Sequence, residues 1–172
     1  MLERTILFIF FSNLSIIDNT GSAVQDTNNA SLLDKSILAQ FLHIFSCNKF
    51  FKTKFLGVQN DIYNFELKFT SESLNPFKTV QGGMIASALD EVTSISVNIF
   101  TKDEFLPSST DIHITFHRPL ISGKVLGTAK IVKLGKTIVS IEGRLYSNNG
   151  KVSATALHTA VLKKTSVLDI SV

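Results

Sequence analysis

The chain has 172 residues, 44% hydrophobic and 18% charged, which suits one globular domain with a real core and excludes a disordered chain. The formal charge is only +3, yet from His117 to Lys164 nine basic residues (Arg118, Lys124, Lys130, Lys133, Lys136, Arg144, Lys151, Lys163 and Lys164) face one acid, Glu142. That stretch carries +8 and the rest −5, which suits either an anionic partner or a sheet edge guarded by lysines.

In chain order, the apolar run Ile6–Phe11 is too short to span a bilayer, and Glu3 precedes it, so no stable membrane insertion is expected. A cytoplasmic location is expected, with a mitochondrial presequence as the alternative. Residues 12–30 are rich in Asn, Ser, Asp and Thr and read as a linker, so the domain is expected over 31–165, between tails at 1–30 and 166–172. Leu32, Leu33, Ile37, Leu38, Phe41, Leu42 and Phe45 recur at helical spacing to about Ser46. The one cysteine, Cys47, cannot form an internal disulfide and reads as a small hydrophobe in a reducing compartment.

Strands are expected at Lys54–Gln59 and Ile62–Thr70, joined by the turn-like Asn60-Asp61. A loop with Pro76 leads to Gln81-Gly82-Gly83. A long helix then runs from Met84 to Phe100, with Ile85, Leu89, Val92, Ile95 and Ile99 at a 3.6-residue period. After a loop with Pro107, Thr110–His117 alternates, Ile112, Ile114 and Phe116 on one face and Asp111, His113 and Thr115 on the other. Strands Val125–Lys133, Ile138–Ser147 and Val152–Lys163 follow, the last pair joined through Asn149-Gly150. One long helix followed by an antiparallel meander must bury the helix against that sheet, an α+β arrangement with the sheet wrapped around the helix.

Asp90 is the odd residue of that helix. A carboxylate beside Leu89 and Val92 is costly unless it is hydrogen-bonded or used, and desolvation suits it to act as a base or nucleophile. Glu91 points about 100° away, and by themselves the two acids read slightly better as a solvent-facing pair. Gly82-Gly83 leave backbone N–H groups uncovered at the helix start, where a carbonyl oxygen could be polarised. By themselves the two glycines also read as a simple loop-to-helix joint.

The stretch Asn75-Pro-Phe-Lys-Thr-Val-Gln81-Gly82-Gly83-Met-Ile-Ala-Ser-Ala-Leu-Asp90-Glu91 resembles the signature of hotdog-fold acyl-CoA thioesterases of the phenylacetate-pathway type. Ser109-Thr-Asp111-Ile-His-Ile-Thr-Phe-His-Arg118-Pro119, the run from Val132 to Thr137, and Ala154-Thr-Ala-Leu-His158-Thr159 continue the match over roughly residues 35–164. The resemblance implies a hotdog fold and hydrolysis of acyl-CoA to a carboxylic acid and CoASH, in fatty acid or aryl-acid metabolism, without a cofactor or metal. It implies Asp90 as general base or nucleophile and the Gly82 N–H as oxyanion donor. It further implies that Gly83 shapes the turn, Asn75 positions carbonyl or water, Ser109 holds the water and Ser94 lies near the site. Acid and glycine are expected from different subunits of a homodimer or homotetramer. Gln81 replaces the family's usual His. Gln can orient a loop but cannot change charge, so activity is expected to survive.

Other readings are weaker. A non-catalytic acyl-CoA-binding hotdog protein is favoured only by Gln81. A dehydratase would want the missing histidine. No nucleophile-elbow or metal-ligand spacing occurs, and His113 and His117 read as surface residues. Nucleic-acid binding is not expected, because no aromatics interleave the basic residues. CoA phosphates are the expected anionic partner, with Arg118, Lys133 and Lys136 at strand ends or turns as candidate ligands.

Overall fold

The computed structural model describes residues 48–165; the expected tails, linker and first helix, and Cys47, lie outside them. The elements are α1 (Asn48–Phe51), β1 (Lys54–Gln59), β2 (Ile62–Phe69), a 3-10 turn (Ser71–Ser73), α2 (Gly82–Phe100), β3 (Phe105–Phe116), β4 (Gly123–Leu134), β5 (Ile138–Tyr146) and β6 (Val152–Lys164). The strands form one antiparallel sheet in the order β1-β2-β4-β5-β6-β3, packed against α2. This is the expected α+β hotdog arrangement. Among the described residues no helix is long and apolar enough to cross a membrane.

Local chemistry explains most of these elements. Asn60 and Asp61 both take positive φ (49° and 60°), the left-handed pair that a tight hairpin between β1 and β2 requires. Ile85, Leu89, Val92 and Ile95 face the core, and every residue from Glu91 to Ile99 is buried, so α2 is covered all round rather than on one stripe. Each large apolar side chain buried here stabilises by roughly 1.5–3 kcal/mol. Phe51 of α1 closes one end of the core, edge-on to Phe69 with ring centroids 5.3 Å apart.

Two expectations are corrected. The strand predicted from Thr110 begins at Phe105, so Pro107 lies inside it, paired with Leu162. Proline is tolerated there because β3 is an edge strand and one side of its backbone needs no partner. The four last strands are not a simple meander either: β3 pairs with β6, and β4 returns to pair with β2. The connection between β3 and β4 is anchored where Val80 N–H donates to the carbonyl of buried Leu120 at 2.7 Å. Alternation assigns faces to a strand but not neighbours.

The seat of α2 is a row of small residues in register, Ala129, Gly143 and Ala156 on β4, β5 and β6. A Cβ on Gly143 would stand 2.8 Å from Thr93 Cγ2 and 3.3 Å from Leu89 Cδ2. Thr93 cannot rotate away freely, because its hydroxyl is held between the Leu89 carbonyl at 2.7 Å and the His158 ring at 2.8 Å. Gly143→Ala is therefore expected to lower stability by about 1–2 kcal/mol through overpacking, read as a lower urea midpoint with unchanged slope.

Candidate active site

Asp90 stands on the side of α2 that faces β3. Ser109 Oγ–H donates to its Oδ1 at 2.8 Å. Strict alternation in β3 would put Ser109 on the outer face with Asp111, His113 and Thr115. A bulge between Ser109 and Asp111 reverses that. Ser109 pairs with buried Ala160 and Ile112 with buried His158, whereas Asp111 pairs with Thr159, so one extra residue, Thr110, turns Ser109 inward to Asp90. The Asp90 side chain is half exposed (48%), and Ser109 is exposed beside it at the open edge of β3.

Glu91 behaves differently from the solvent-facing pair that the residues alone allowed. It is buried at 3% exposure and accepts a hydrogen bond from the Thr53 hydroxyl, while its Oε2 lacks a partner. Burial, with the neighbouring Asp90 charge, pushes its pKa up to about 7, against the opposing pull of the Thr53 hydrogen bond. The two adjacent carboxyls thus have separate surroundings, and only Asp90 is accessible.

Gln81 is the N-cap of α2: Met84 N–H donates to its Oε1 at 3.1 Å. A Cβ on Gly83 would lie 2.9 Å from that same oxygen, so glycine follows the cap because the capping side chain occupies the space. The N–H groups of Gly82 and Gly83, in the first turn, have no intrahelical acceptor. Gly82 borders an open groove of about 340 Å³ with Thr79, Ile85, Phe116 and Arg118 on its walls. Asn75 shapes the preceding loop. Its Oδ1 accepts from Phe77 N–H at 3.0 Å and Thr79 N–H at 3.2 Å, and its Nδ2 donates to Thr79 Oγ1 at 2.9 Å.

Of the residues singled out in the sequence, Asp90 and Ser109 meet, and Asn75, Gln81, Gly82 and Gly83 gather at the helix start. Ser94 is buried one turn beyond Asp90. Arg118 follows β3 at the sheet end that holds the β5–β6 turn and donates to the Val152 carbonyl at 2.7 Å. Lys133 and Lys136 lie at the opposite end, beside the β4–β5 turn, so one protomer does not bring the three cations together. Among the described residues no group of His, Cys, Asp and Glu is placed to hold a metal.

Sequence reasoning missed two residues behind Asp90, His158 and Thr93. His158, fully buried, points Nε2 to Asp90 Oδ1 at 3.6 Å and Nδ1 to Thr93 Oγ1 at 2.8 Å. Its signal was present: Ala154, Ala156, His158 and Ala160 alternate on one face of β6, so a histidine stands alone among alanines on the buried side.

Comparison with known proteins gives the family and the fold. A family model described as thioesterase superfamily matches residues 77–154. The proofreading thioesterase EntH of Klebsiella pneumoniae subsp. pneumoniae is 31% identical over 98 residues, 56% of this chain and 72% of that protein. A phenylacetic acid degradation-related protein of Ralstonia eutropha JMP134 superposes with a TM-score of 0.65 at 26% identity, over 72% of this chain and 97% of its own. Thioesterase superfamily member 2 of zebrafish superposes with a TM-score of 0.59 at 26% identity, over 65% of this chain and 82% of its own.

Proposed function

The chain belongs to the thioesterase superfamily and is a thioester hydrolase, and from that premise we propose that it cleaves acyl-CoA to a carboxylic acid and CoASH with water activated by Asp90. The observation that carries the site assignment is the Asp90–Ser109 pair, turned together by the β3 bulge and open to solvent. Water bound beside Asp90 loses a proton to the carboxylate as its oxygen attacks the thioester carbon. The Gly82 N–H, at the positive end of α2, stabilises the oxyanion that forms. Collapse of that intermediate expels the CoA thiolate, which takes up the proton, and the acid is released.

A second subunit completes the site. Eight residues of helix separate Gly82 from Asp90, about 12 Å along the axis, whereas a carbonyl oxygen and the water attacking its carbon lie about 3 Å apart. That separation favours taking the acid and the oxyanion donor for one thioester from two different chains. The outer edge of β3 beyond the bulge, Asp111–Phe116, is free of lysine and proline and is suited to pair with a second copy. A homodimer across that edge, alone or doubled to a tetramer, sets Asp90 of one subunit opposite Gly82 of the other. The groove beside Gly82 leads to Arg118, which keeps further guanidinium donors for a CoA phosphate after its bond to Val152.

Gln81 accords with catalysis. As a helix cap it orients the loop, which needs no change of charge. The test is release of free thiol from a panel of short-, medium- and long-chain and aryl acyl-CoAs by the purified full chain. Turnover of at least one class is expected. A flat panel together with turnover of acyl-pantetheine or carrier-protein thioesters would move the substrate away from CoA.

A further inference from the structure

The two oxygens of Asp90 do not have equal surroundings, and the difference originates in β3 and β6. Oδ1 receives the Ser109 hydroxyl at 2.8 Å and faces His158 Nε2 at 3.6 Å. The His158 ring is fully buried, and its Nε2 has no hydrogen-bond partner at normal distance. A buried ring nitrogen aimed at a carboxylate must be either a lone pair, which repels it, or an N–H, which attracts it. Thr93 decides which.

The Thr93 hydroxyl lies 2.8 Å from His158 Nδ1, 2.7 Å from the Leu89 carbonyl and 3.0 Å from the Asp90 carbonyl, and it has one proton to donate. The Leu89 carbonyl already accepts the backbone N–H of Thr93 in the α-helical pattern, so it loses little if the hydroxyl proton goes elsewhere. Given to Nδ1, that proton leaves the neutral ring with its own hydrogen on Nε2, pointing at Asp90. The opposite assignment places an unpaired lone pair against the carboxylate. The one charged group that faces the ring is Asp90 from α2, while the charge of Asp111, on the outer face of β3, reaches it only through the sheet; β5 presents Ile141, and Glu91 turns away to Thr53. Burial lowers the His158 pKa, and the two aspartates offset this only in part, which keeps the ring neutral.

We propose that His158, held by Thr93 in the Nε2–H form, is a positioning residue that with Ser109 engages Oδ1 of Asp90 and leaves Oδ2 as the oxygen that accepts the proton from water. This rests on the reading of Asp90 as the catalytic carboxylate. His158 and Thr93 then work together. Thr93 fixes the proton on the ring, and the ring aims the carboxylate.

The experiment has two parts. Long-range ¹H–¹⁵N spectra of the free wild-type protein near neutral pH read the tautomer directly. The neutral Nε2–H form is expected, and Thr93→Val should shift the ring toward the Nδ1–H form. An Nδ1–H ring or an imidazolium in wild type overturns the proposal. In the second part, the acid limb of the kcat/KM profile is expected to move up by about one unit in His158→Met and to return in His158→Gln, which restores a donor to Asp90. Equal profiles for the Met and Gln variants, both folded by circular dichroism, also overturn it. Full turnover by Asp90→Asn would instead sink the reading of the site, while the tautomer result would stand by itself.

Discussion

Asp90→Asn is expected to lower kcat/KM for the best thioester by about 10²–10⁴-fold, the range that a lost general base accounts for. The substitution keeps the shape of the side chain and an acceptor for the Ser109 hydroxyl, and the residue is half exposed, so the fold should persist with little change in Tm. What is lost is the charge that draws a proton from water. Activity within threefold of wild type would remove Asp90 from the mechanism.

The proposed subunit boundary adds a sharper form of the same test. Gly82→Pro deletes the N–H proposed as oxyanion donor at the first position of α2, where proline is tolerated, and Gln81 before it is already extended at φ −66° and ψ 139°. Each variant by itself should be nearly inactive. Mixed and re-equilibrated, they should regain about a quarter of wild-type activity, because half the dimers are hybrids with one of two sites intact. No recovery despite demonstrated subunit exchange would place both groups within one chain's site.

Glu91→Gln should stabilise the protein at pH 8 by about 3 kcal/mol, the equivalent of moving one carboxyl between its ordinary range and neutrality. The Glu91 pKa rises on folding from 4.5 to about 7. Below pH 4.5 the carboxyl is neutral in both states, and the cost of burying its charge is absent. Between pH 4.5 and 7 the folded chain holds more protons than the unfolded one, so this group's contribution to stability falls as pH rises, then levels off above 7. Gln mimics the neutral acid, because its carbonyl still accepts from Thr53. Wild type and variant should therefore unfold at similar denaturant concentrations near pH 4.5 and diverge above it. A constant difference at all pH values would show that Glu91 is not buried as a titrating group.

Much of the site was legible because its signals are local. Gly82-Gly83 before an amphipathic helix, with Asp90 eight residues on, fixes which end of the helix offers N–H groups and where a carboxylate stands. The helix period, the Asn60-Asp61 turn and the Asn149-Gly150 turn located most element ends to within a few residues, since each depends on neighbours along the chain. Gln81 could be read as a substitution, but its work as a cap required seeing Oε1 at the Met84 N–H.

The rest depended on contacts between distant segments. Glu91 stands one residue from Asp90, and its burial follows from Thr53, thirty-eight positions earlier, closing over it. His158 reaches Asp90 only because β6 lies between β5 and β3, a neighbour relation that alternation cannot encode. Ser109 is the clearest case. Its hydroxyl could be nominated from sequence, yet period-two counting from Ile112 and Ile114 turns it away from Asp90. The bulge at Thr110 turns it back. The carboxylate, the glycines and the helix that joins them are thus written in consecutive residues. Which face of β3 Ser109 occupies, and what stands behind Asp90, are not, because strand register and bulge position are chosen by the packing of the whole sheet.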